Sequence, residues 1–168
     1  MPRHFVLIRP TLSSMRLAAF SLLALVLLST PLLHAQREKL PPADLDYVEK
    51  TWPDAKKTNS GIRYVIQREG QGESPKPGDI VSVLYVGKLL DGKIFDQYQE
   101  REQPFTFRIK REQVIEGWDQ ILQQMKRGEK RLVIIPPELA YGSRGQPPKI
   151  PRSATLVFEI DLLDFKHE

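Results

Sequence analysis

The side chains that could do chemistry in this chain are mainly hydroxyls and carboxylates. The 168 residues include no cysteine and three histidines. His4 and His34 lie in the first 35 residues, and His167 is penultimate. This composition excludes disulfides and thiol catalysis, and the body of the chain cannot supply a Ser-His-Asp triad or a histidine zinc site. Any chemistry must therefore come from carboxylates, hydroxyls, backbone groups or the shape of an apolar site.

One tyrosine stands at the start of an unusual loop. Residues 140–152 read AYGSRGQPPKIPR, with two glycines and three prolines. Glycine permits left-handed turns, and proline fixes its own φ at about −65°. Because loops of this length inside compact domains are often functional, the pattern predicts a shaped loop that holds Tyr141 in place.

A pair of carboxylates offers a second kind of chemistry. Glu116 and Asp119 are three residues apart in a stretch of helical period, so they lie on one face of the predicted helix. Such a pair could serve a carboxylate hydrolase, although acids at this spacing are usually only solvated.

The elements that must position these groups are mostly strands. Runs of β-branched or alternating residues bounded by glycine and proline predict strands over 62–68, 80–90, 93–95, 105–109, 131–135 and 154–165. Asp91-Gly92 predicts a hairpin turn. Helical spacing is found at Ile115, Trp118, Ile121, Leu122 and Met125, closed by Gly128. The prediction is an α+β fold of about five or six strands, with one short helix on one face of the sheet.

The first 35 residues have the composition of a secretory signal peptide. They contain no acid, three arginines, a 12-residue apolar run over 17–28, and Leu33-His34-Ala35 at the end. The prediction is an exported protein, periplasmic or otherwise extracytoplasmic, cleaved after Ala35. The alternative is an uncleaved membrane anchor over residues 17–33, near the lower length limit for a span.

Residues 36–60 are predicted to be a polar, proline-containing arm or linker, and residues 61–168 the folded domain. Leu45, Val48 and Trp52 have the spacing of one face of a short helix within the arm. The arm would either tether the domain to a membrane or lie on the domain.

The charge balance argues against a nucleic-acid partner. Lys and Arg number 25 and Asp and Glu 21, a net charge of +4. Without the three arginines of the first 35 residues the balance is 22 to 21, or +1. The remaining cation clusters alternate with acids, which indicates solvated faces. We expect no nucleic-acid partner, no metal and no cofactor, and a membrane contact only if the first segment is retained.

Five motifs follow one another along the chain: YVGKLLDGKIFD, PFTFRI, VIEGWDQILQQMKRGEK, PPELAYG and ATLVFEIDLL. In this order, over about residues 61–166, the chain resembles the FKBP-type peptidyl-prolyl cis-trans isomerases. The resemblance implies a five- to six-stranded antiparallel half-barrel wrapped around one short helix, with an apolar pocket for a proline ring between them. It also implies isomerisation of X-Pro bonds in unfolded or partly folded polypeptides during folding of exported proteins.

The resemblance further implies the residues of the pocket. Trp118 would form the floor, and the Tyr141 hydroxyl and the Ile115 N–H would hydrogen-bond substrate carbonyls. The implied catalytic residues are Tyr85, Phe95, Asp96 and Tyr141, and the implied substrate-binding residues are Phe105, Val114, Ile115, Trp118, Gln146, Lys149, Ile150 and Phe158. Arg101 matches the family's cationic partner for Asp96. Two alternatives remain open: an Asp96–Arg101 ion pair that only orders a loop, and a Tyr141 hydroxyl that only caps loop backbone.

Two positions depart from the family pattern, and both lie in the loop. Gln146 stands where many members have histidine, and Lys149 stands where an apolar residue is common. The resemblance implies binding of macrolides such as rapamycin and tacrolimus. Lys149 would affect the affinity of the protein for these macrolides. The alternative function is a binding or chaperone module that uses the same pocket with little turnover.

Overall fold

A seven-stranded antiparallel sheet is the main element of residues 38–167, the part of the chain that the computed structural model describes. The elements in chain order are α1 Pro42–Thr51, β1 Lys56–Lys57, β2 Arg63–Arg68, β3 Ile80–Leu89, β4 Ile94–Tyr98, β5 Phe105–Arg108, α2 Glu116–Leu122, β6 Lys130–Ile135, a 3₁₀ turn Pro137–Leu139, and β7 Leu156–Lys166. The strand order is β1-β2-β6-β7-β3-β4, and β5 pairs with β3 beside β4.

The predicted α+β architecture is confirmed, and the short strand β1 is added to the six predicted strands. The predicted hairpin turn between β3 and β4 is also present. Gly92 has φ +87°, which favours glycine, and its N–H donates to the Leu89 carbonyl at 3.0 Å. The Lys93 N–H donates to Asp91 Oδ1 at 2.9 Å, so the turn closes as aspartate-glycine turns do.

Strand β3 organises the sheet because both of its edges are paired. One edge pairs with β7 along the length of β3. The other edge pairs first with β5, from Ile80 to Val83, and then with β4, from Tyr85 to Lys88. This arrangement brings β4 and β5 end to end beside Tyr85, although residues 99–104 separate them in sequence.

The core lies between the sheet and α2. On the helix side, Trp118 is 3% exposed and Ile121 and Leu122 are fully buried. On the sheet side, alternate residues face the helix, as the period of two requires. The sheet residues in this cluster include Val81, Val83, Phe107, Val133, Ile135, Leu156, Phe158, Ile160 and Leu162.

A β-bulge in the β3–β7 ladder changes which residues of β7 are buried. Ser82 pairs with Asp164 and Val83 pairs with Leu162, so Leu163 has no partner of its own. The extra residue reverses the alternation after the bulge. Phe165 is therefore buried in the same cluster as Leu162, which the simple alternation in the sequence does not predict.

Helix α1 covers part of the opposite face of the sheet. Val48 of α1 is fully buried with Leu40, Ile134 and Val157, and the last two alternate with the residues that face α2. Asp44 Oδ2 accepts a hydrogen bond from Thr155 Oγ1 at 2.6 Å. The described part of the arm therefore lies on the domain, which is one of its two predicted roles.

Glu38 fastens the start of the described chain to β1 and β2. Its carboxylate accepts from Lys57 Nζ at 2.7 Å and from both terminal nitrogens of Arg63 at 3.1 Å. Burial by itself raises the pKa of Glu38, but hydrogen bonds from Lys57, the Leu40 N–H and Arg63 outweigh it and lower the pKa from 4.5 to about 2. The ionised form of Glu38 therefore stabilises the fold.

The predicted signal peptide, residues 1–35, lies outside the described residues. Within residues 38–167, neither helix combines the length and the apolar character needed to cross a membrane.

Replacement of Glu38 by glutamine is expected to remove an acid-sensitive part of the stability. Because the folded-state pKa is lowered, this contribution is complete above about pH 4.5 and is lost as the pH falls toward 2. Glu38→Gln should cost about 1 kcal/mol in urea unfolding at pH 7, and the difference from the unmodified protein should shrink toward pH 2. Asp46→Asn, an exposed change on α1, is the control. A difference that stays constant with pH would contradict this account.

Candidate functional site

An aromatic pocket of about 170 Å³ opens between α2 and the strands around β3. Its lining residues come from β3, β4, β5, β7, the start of α2 and the loop after the 3₁₀ turn. They are Tyr85, Phe95, Asp96, Phe105, Gln113, Val114, Ile115, Trp118, Tyr141 and Phe158. Nine of the twelve predicted site residues thus lie together.

Trp118 forms the floor through edge-to-face contacts. Its ring centroid lies 4.9 Å from that of Tyr85 at an interplanar angle of 86°, and 5.3 Å from that of Phe158 at 82°. Aromatic pairs prefer this geometry because the positive ring edge meets the negative ring face. The buried Nε1–H has no hydrogen-bond partner within the described residues. Ring packing therefore holds Trp118 in place.

The walls depend on a glycine that sequence reasoning missed. Phe95 and Phe158 meet edge to face at 5.6 Å and 89°. A Cβ at Gly87 would lie 2.8 Å from atoms of both rings, closer than carbon atoms approach without displacement. The available signal was a glycine inside a strand, which often marks a close approach of other groups.

Asp96 holds the hydroxyl of Tyr85. Tyr85 Oη donates to Asp96 Oδ2 at 2.7 Å, and the Gln97 N–H donates to Asp96 Oδ1 at 3.0 Å. Burial, and then the hydrogen bond to Asp96, raise the pKa of Tyr85. The Tyr85 hydroxyl therefore stays protonated at neutral pH, and its position is fixed.

Tyr141 differs from Tyr85 in the hydrogen bonding of its hydroxyl. The side chain is half-buried, and no hydrogen bond of its hydroxyl occurs within residues 38–167; only its backbone carbonyl accepts, from the Gly145 N–H at 3.1 Å. The alternative in which the Tyr141 hydroxyl only caps loop backbone therefore has no hydrogen bond to support it within the described residues. Burial, and then the charge of Asp96, raise the pKa of Tyr141. Tyr141 thus keeps a proton to donate.

The backbone at Ile115 supplies a second donor. Ile115 precedes α2 in extended geometry, with φ −62° and ψ 148°. Its carbonyl accepts from the Trp118 N–H at 3.0 Å, while its own N–H makes no hydrogen bond within the described residues. Unpaired N–H groups are expected at a helix start, and this one lies in the pocket lining.

Gln113 is the one residue of this pocket lining that the sequence prediction omitted. Its Oε1 accepts from the Arg108 N–H at 2.7 Å, which closes the segment between β5 and α2. No periodicity or motif in the sequence marks Gln113. Its hydrogen-bond partner is a backbone N–H, which every residue type other than proline supplies, so the pairing leaves no signal in the sequence.

The other three predicted site residues lie in an adjoining groove of about 480 Å³, which shares Phe95, Asp96 and Tyr141 with the pocket. Gln146 and Ile150 exchange backbone hydrogen bonds of 2.9 and 3.0 Å. Ile150 is 1% exposed, whereas Gln146 and Lys149 are exposed. Gln146 and Lys149 therefore border the groove, and they do not line the pocket.

The predicted pairing of Arg101 with Asp96 is wrong. Arg101 Nη2 lies 3.7 Å from Asp161 Oδ2, and Arg68 Nη2 lies 2.5 Å from Asp161 Oδ1. Asp161 is 8% exposed, and a buried carboxylate requires compensating cations. Asp96 is exposed to solvent and has the Tyr85 hydroxyl and a backbone N–H as partners.

The two helix carboxylates do not form a second site. Glu116 pairs with Lys110 Nζ at 2.5 Å, and this hydrogen bond lowers the pKa of Glu116. Asp119 is 3% exposed and accepts from the Lys110 N–H at 2.8 Å. Both carboxylates are thus engaged in structure and neither lines the pocket, which leaves the hydrolase interpretation without support.

A larger hollow of about 530 Å³ lies elsewhere on the surface, between the 57–60 segment and α2. Its lining consists of Lys57, Thr58, Asn59, Ser60, Tyr64, Gln120, Gln123 and Gln124. Because ligand sites are usually apolar with a few placed polar groups, the aromatic pocket is the better candidate despite its smaller volume. Within the described residues, no group of three His, Asp or Glu side chains is arranged to hold a metal.

An antiparallel sheet is packed around one short helix, and the aromatic pocket with two unpaired donors at its edge has the chemistry suited to a small apolar ring beside carbonyl groups. Residues 71–163 match the family FKBP-type peptidyl-prolyl cis-trans isomerase. The chain belongs to this family.

Known relatives agree with this assignment. The chain is 49% identical over 113 residues to human peptidyl-prolyl cis-trans isomerase FKBP4, covering 67% of this chain and 25% of the relative. It is 46% identical over 111 residues to Escherichia coli FkpA, covering 66% and 40%. The match to a probable FKBP-type isomerase of Haemophilus influenzae is 45% identical and covers 66% and 45%. The chain thus spans less than half of the length of these relatives.

Solved structures show the same fold. A peptidyl-prolyl cis-trans isomerase of Pseudomonas syringae superposes with a TM-score of 0.66 and 38% identity, covering 74% of this chain and 92% of the other. FkpA from E. coli gives a TM-score of 0.66 and 43% identity, covering 74% and 58%.

Replacement of Gly87 by alanine is expected to damage the pocket, because the added methyl group displaces Phe95 and Phe158. Returning the displaced rings to their positions on binding should cost about 1 kcal/mol, the scale of overpacking strain. The affinity for a short proline-containing peptide, measured by NMR titration, should therefore be roughly five-fold weaker. Val86→Ala, on the opposite face of the same strand, is the control and should keep the affinity. Unchanged affinity in Gly87→Ala would show that the walls do not contact the peptide.

Proposed function

We propose that this chain catalyses cis-trans isomerisation of X-Pro peptide bonds. The observation that supports this most directly is the pocket floored by Trp118, with the hydroxyl of Tyr141 and the N–H of Ile115 unpaired at its edge. The pocket provides apolar walls for a proline ring and donors for the carbonyls beside it.

The reaction needs no nucleophile and no proton transfer. Rotation about an X-Pro bond has a barrier of about 20 kcal/mol because it breaks amide resonance, and uncatalysed exchange takes tens to hundreds of seconds. No covalent bond forms or breaks, so groups that bind the twisted amide better than the planar amide are sufficient.

The apolar lining favours the twisted amide. A planar amide is more charge-separated than a twisted one, because resonance places negative charge on oxygen and positive charge on nitrogen. Transfer from water into a pocket of aromatic rings therefore costs the planar form more. The half-buried hydroxyl of Tyr141 stays protonated, so it would donate to a substrate carbonyl while the rings hold the proline.

Asp96 is proposed to act by positioning. Its two oxygens are occupied by the Tyr85 hydroxyl and the Gln97 N–H, and Tyr85 in turn packs on Trp118 at 4.9 Å. In this arrangement Asp96 fixes the orientation of Tyr85 and, through it, the floor. The proposed catalytic residues are therefore Tyr85, Phe95 and Tyr141, and Asp96 is a positioning residue that acts through Tyr85.

The proposed substrates are proline-containing segments of unfolded or partly folded polypeptides outside the cytoplasm. The composition of residues 1–35 supports export. We further propose that macrolides such as rapamycin and tacrolimus enter the same pocket, beside the exposed Lys149 of the groove.

The test of activity is an NMR exchange or protease-coupled assay on short X-Pro peptides, with protein that begins at Gln36. We expect acceleration at micromolar protein. Tyr141→Phe removes one hydrogen bond, worth about 1 kcal/mol or roughly five-fold in rate, and Tyr47→Phe on α1 is the matched control. Trp118→Ala removes the floor and should lose more activity; its fold is checked by circular dichroism.

The assay separates enzyme from binding module. No acceleration over buffer would overturn the proposed activity, and peptide binding without acceleration would support the module with little turnover. Full activity in both Tyr141→Phe and Trp118→Ala would mean that the reaction takes place elsewhere.

Export is tested by the mass and location of the full-length chain made in a bacterial cell. We expect a soluble extracytoplasmic protein whose mass corresponds to a chain starting at Gln36. Leu25→Arg places a charge in the apolar run and should leave the uncut chain inside the cell. An uncut chain in the membrane fraction would instead support the anchor.

A further inference from the structure

The loop beside the pocket carries cations without acids. From Leu139 to Phe158 the sequence contains no aspartate or glutamate and three cations, Arg144, Lys149 and Arg152. We call these three residues the cationic lip. All three are exposed, and none of them forms an ion pair within residues 38–167. The lip therefore places a charge of +3 on this loop, and one of its three residues, Lys149, lines the groove beside the pocket.

Several cations elsewhere on the sheet are compensated. Lys88 and Lys130 both pair with Glu159, at 2.9 and 3.2 Å, and Arg63 pairs with Glu38 and Glu49 at 3.1 and 3.2 Å. The charge of the lip thus does not reflect a general excess of base, because the chain beyond residue 35 is nearly neutral.

The lip borders the path of a bound polypeptide. Lys149 lines the groove of about 480 Å³ that shares Phe95, Asp96 and Tyr141 with the aromatic pocket. Successive residues of an extended chain advance by about 3.5 Å, so residues close to a bound proline pass through this groove. Lys149 forms no ion pair with the acid of this groove, Asp96, whose carboxylate accepts from the Tyr85 hydroxyl and the Gln97 N–H. The three cations of the lip exceed the single negative charge of Asp96.

We propose that the cationic lip selects substrates with an aspartate or glutamate within about three residues of the proline. This inference rests on the proposed isomerase activity and names its preferred substrate class. Opposite charges across an interface speed association and favour one partner over others. Because the pairs are exposed, each contributes up to about 1 kcal/mol, so the preference should be roughly two- to five-fold and should weaken in salt.

The test compares X-Pro peptides that differ at one position. Glutamate, glutamine or lysine is placed at each site from three residues before to three residues after the proline. At low ionic strength, at least one position should give kcat/KM roughly two- to five-fold higher for glutamate than for glutamine, and lower for lysine. The ratio of kcat/KM between the glutamate and glutamine peptides should approach one at about 0.5 M salt.

Variants assign the preference to the lip. Lys149→Gln should bring the glutamate-to-glutamine ratio of kcat/KM most of the way to one, and Arg144→Gln and Arg152→Gln should reduce this ratio. Lys50→Gln makes the same charge change on α1 and should leave the preference intact. A preference that survives the triple lip variant, or no preference at any position, would overturn the proposal.

Failure of the two proposals can be told apart. If no peptide is isomerised faster than in buffer, the proposed activity fails. NMR titration of the same glutamate and glutamine peptides then still tests whether the lip prefers an acidic peptide, through the ratio of their affinities. Equal affinities would overturn the lip proposal. Equal turnover together with lip-dependent binding to phosphatidylserine vesicles would also overturn it, and would assign the lip to a membrane surface.

Discussion

The site depends on the burial of Trp118 between the sheet and α2. The indole is 3% exposed and meets Tyr85 and Phe158 edge to face at 4.9 and 5.3 Å. These contacts join the helix to β3 and β7, so the same rings that complete the core also form the pocket. Core packing leaves side chains few alternative positions, which keeps the pocket open in a fixed shape. Binding and stability are therefore coupled at this residue.

Polar groups around the pocket fall into two kinds. Asp96 and Tyr85 satisfy each other at 2.7 Å, and Glu116 and Asp119 are engaged by Lys110. Tyr141 and the Ile115 N–H instead remain without partners in the described chain. Since an isolated donor at a half-buried position loses hydrogen-bond energy unless a ligand supplies an acceptor, the unpaired donors mark where a substrate carbonyl would bind. In the proposed function, the paired groups hold the shape of the pocket, and the Tyr141 hydroxyl and the Ile115 N–H recognise the substrate.

The arm and the lip give the domain its individual features. Through α1 and Glu38, the arm covers hydrophobic residues of the sheet face opposite α2 and engages Arg63. The lip places cations that form no ion pair within residues 38–167 on the loop beside the aromatic pocket. Both features lie outside the aromatic core, so they can vary without disturbing the rings on which the pocket depends.

The sequence by itself determined the strands, the existence of the short helix and the aromatic residues of the pocket, because hydrophobic period and ordered motifs are local signals. The helix, Glu116–Leu122, is shorter than the spacing over 115–125 predicts. Tertiary structure decided the remainder. Arg101 pairs with Asp161, not with Asp96, because burial of Asp161 demands cations. Phe165 is buried through a bulge in the β3–β7 ladder, and Gly87 is required by rings from two other strands. These outcomes depend on groups far apart in the chain, whose approach no local pattern encodes.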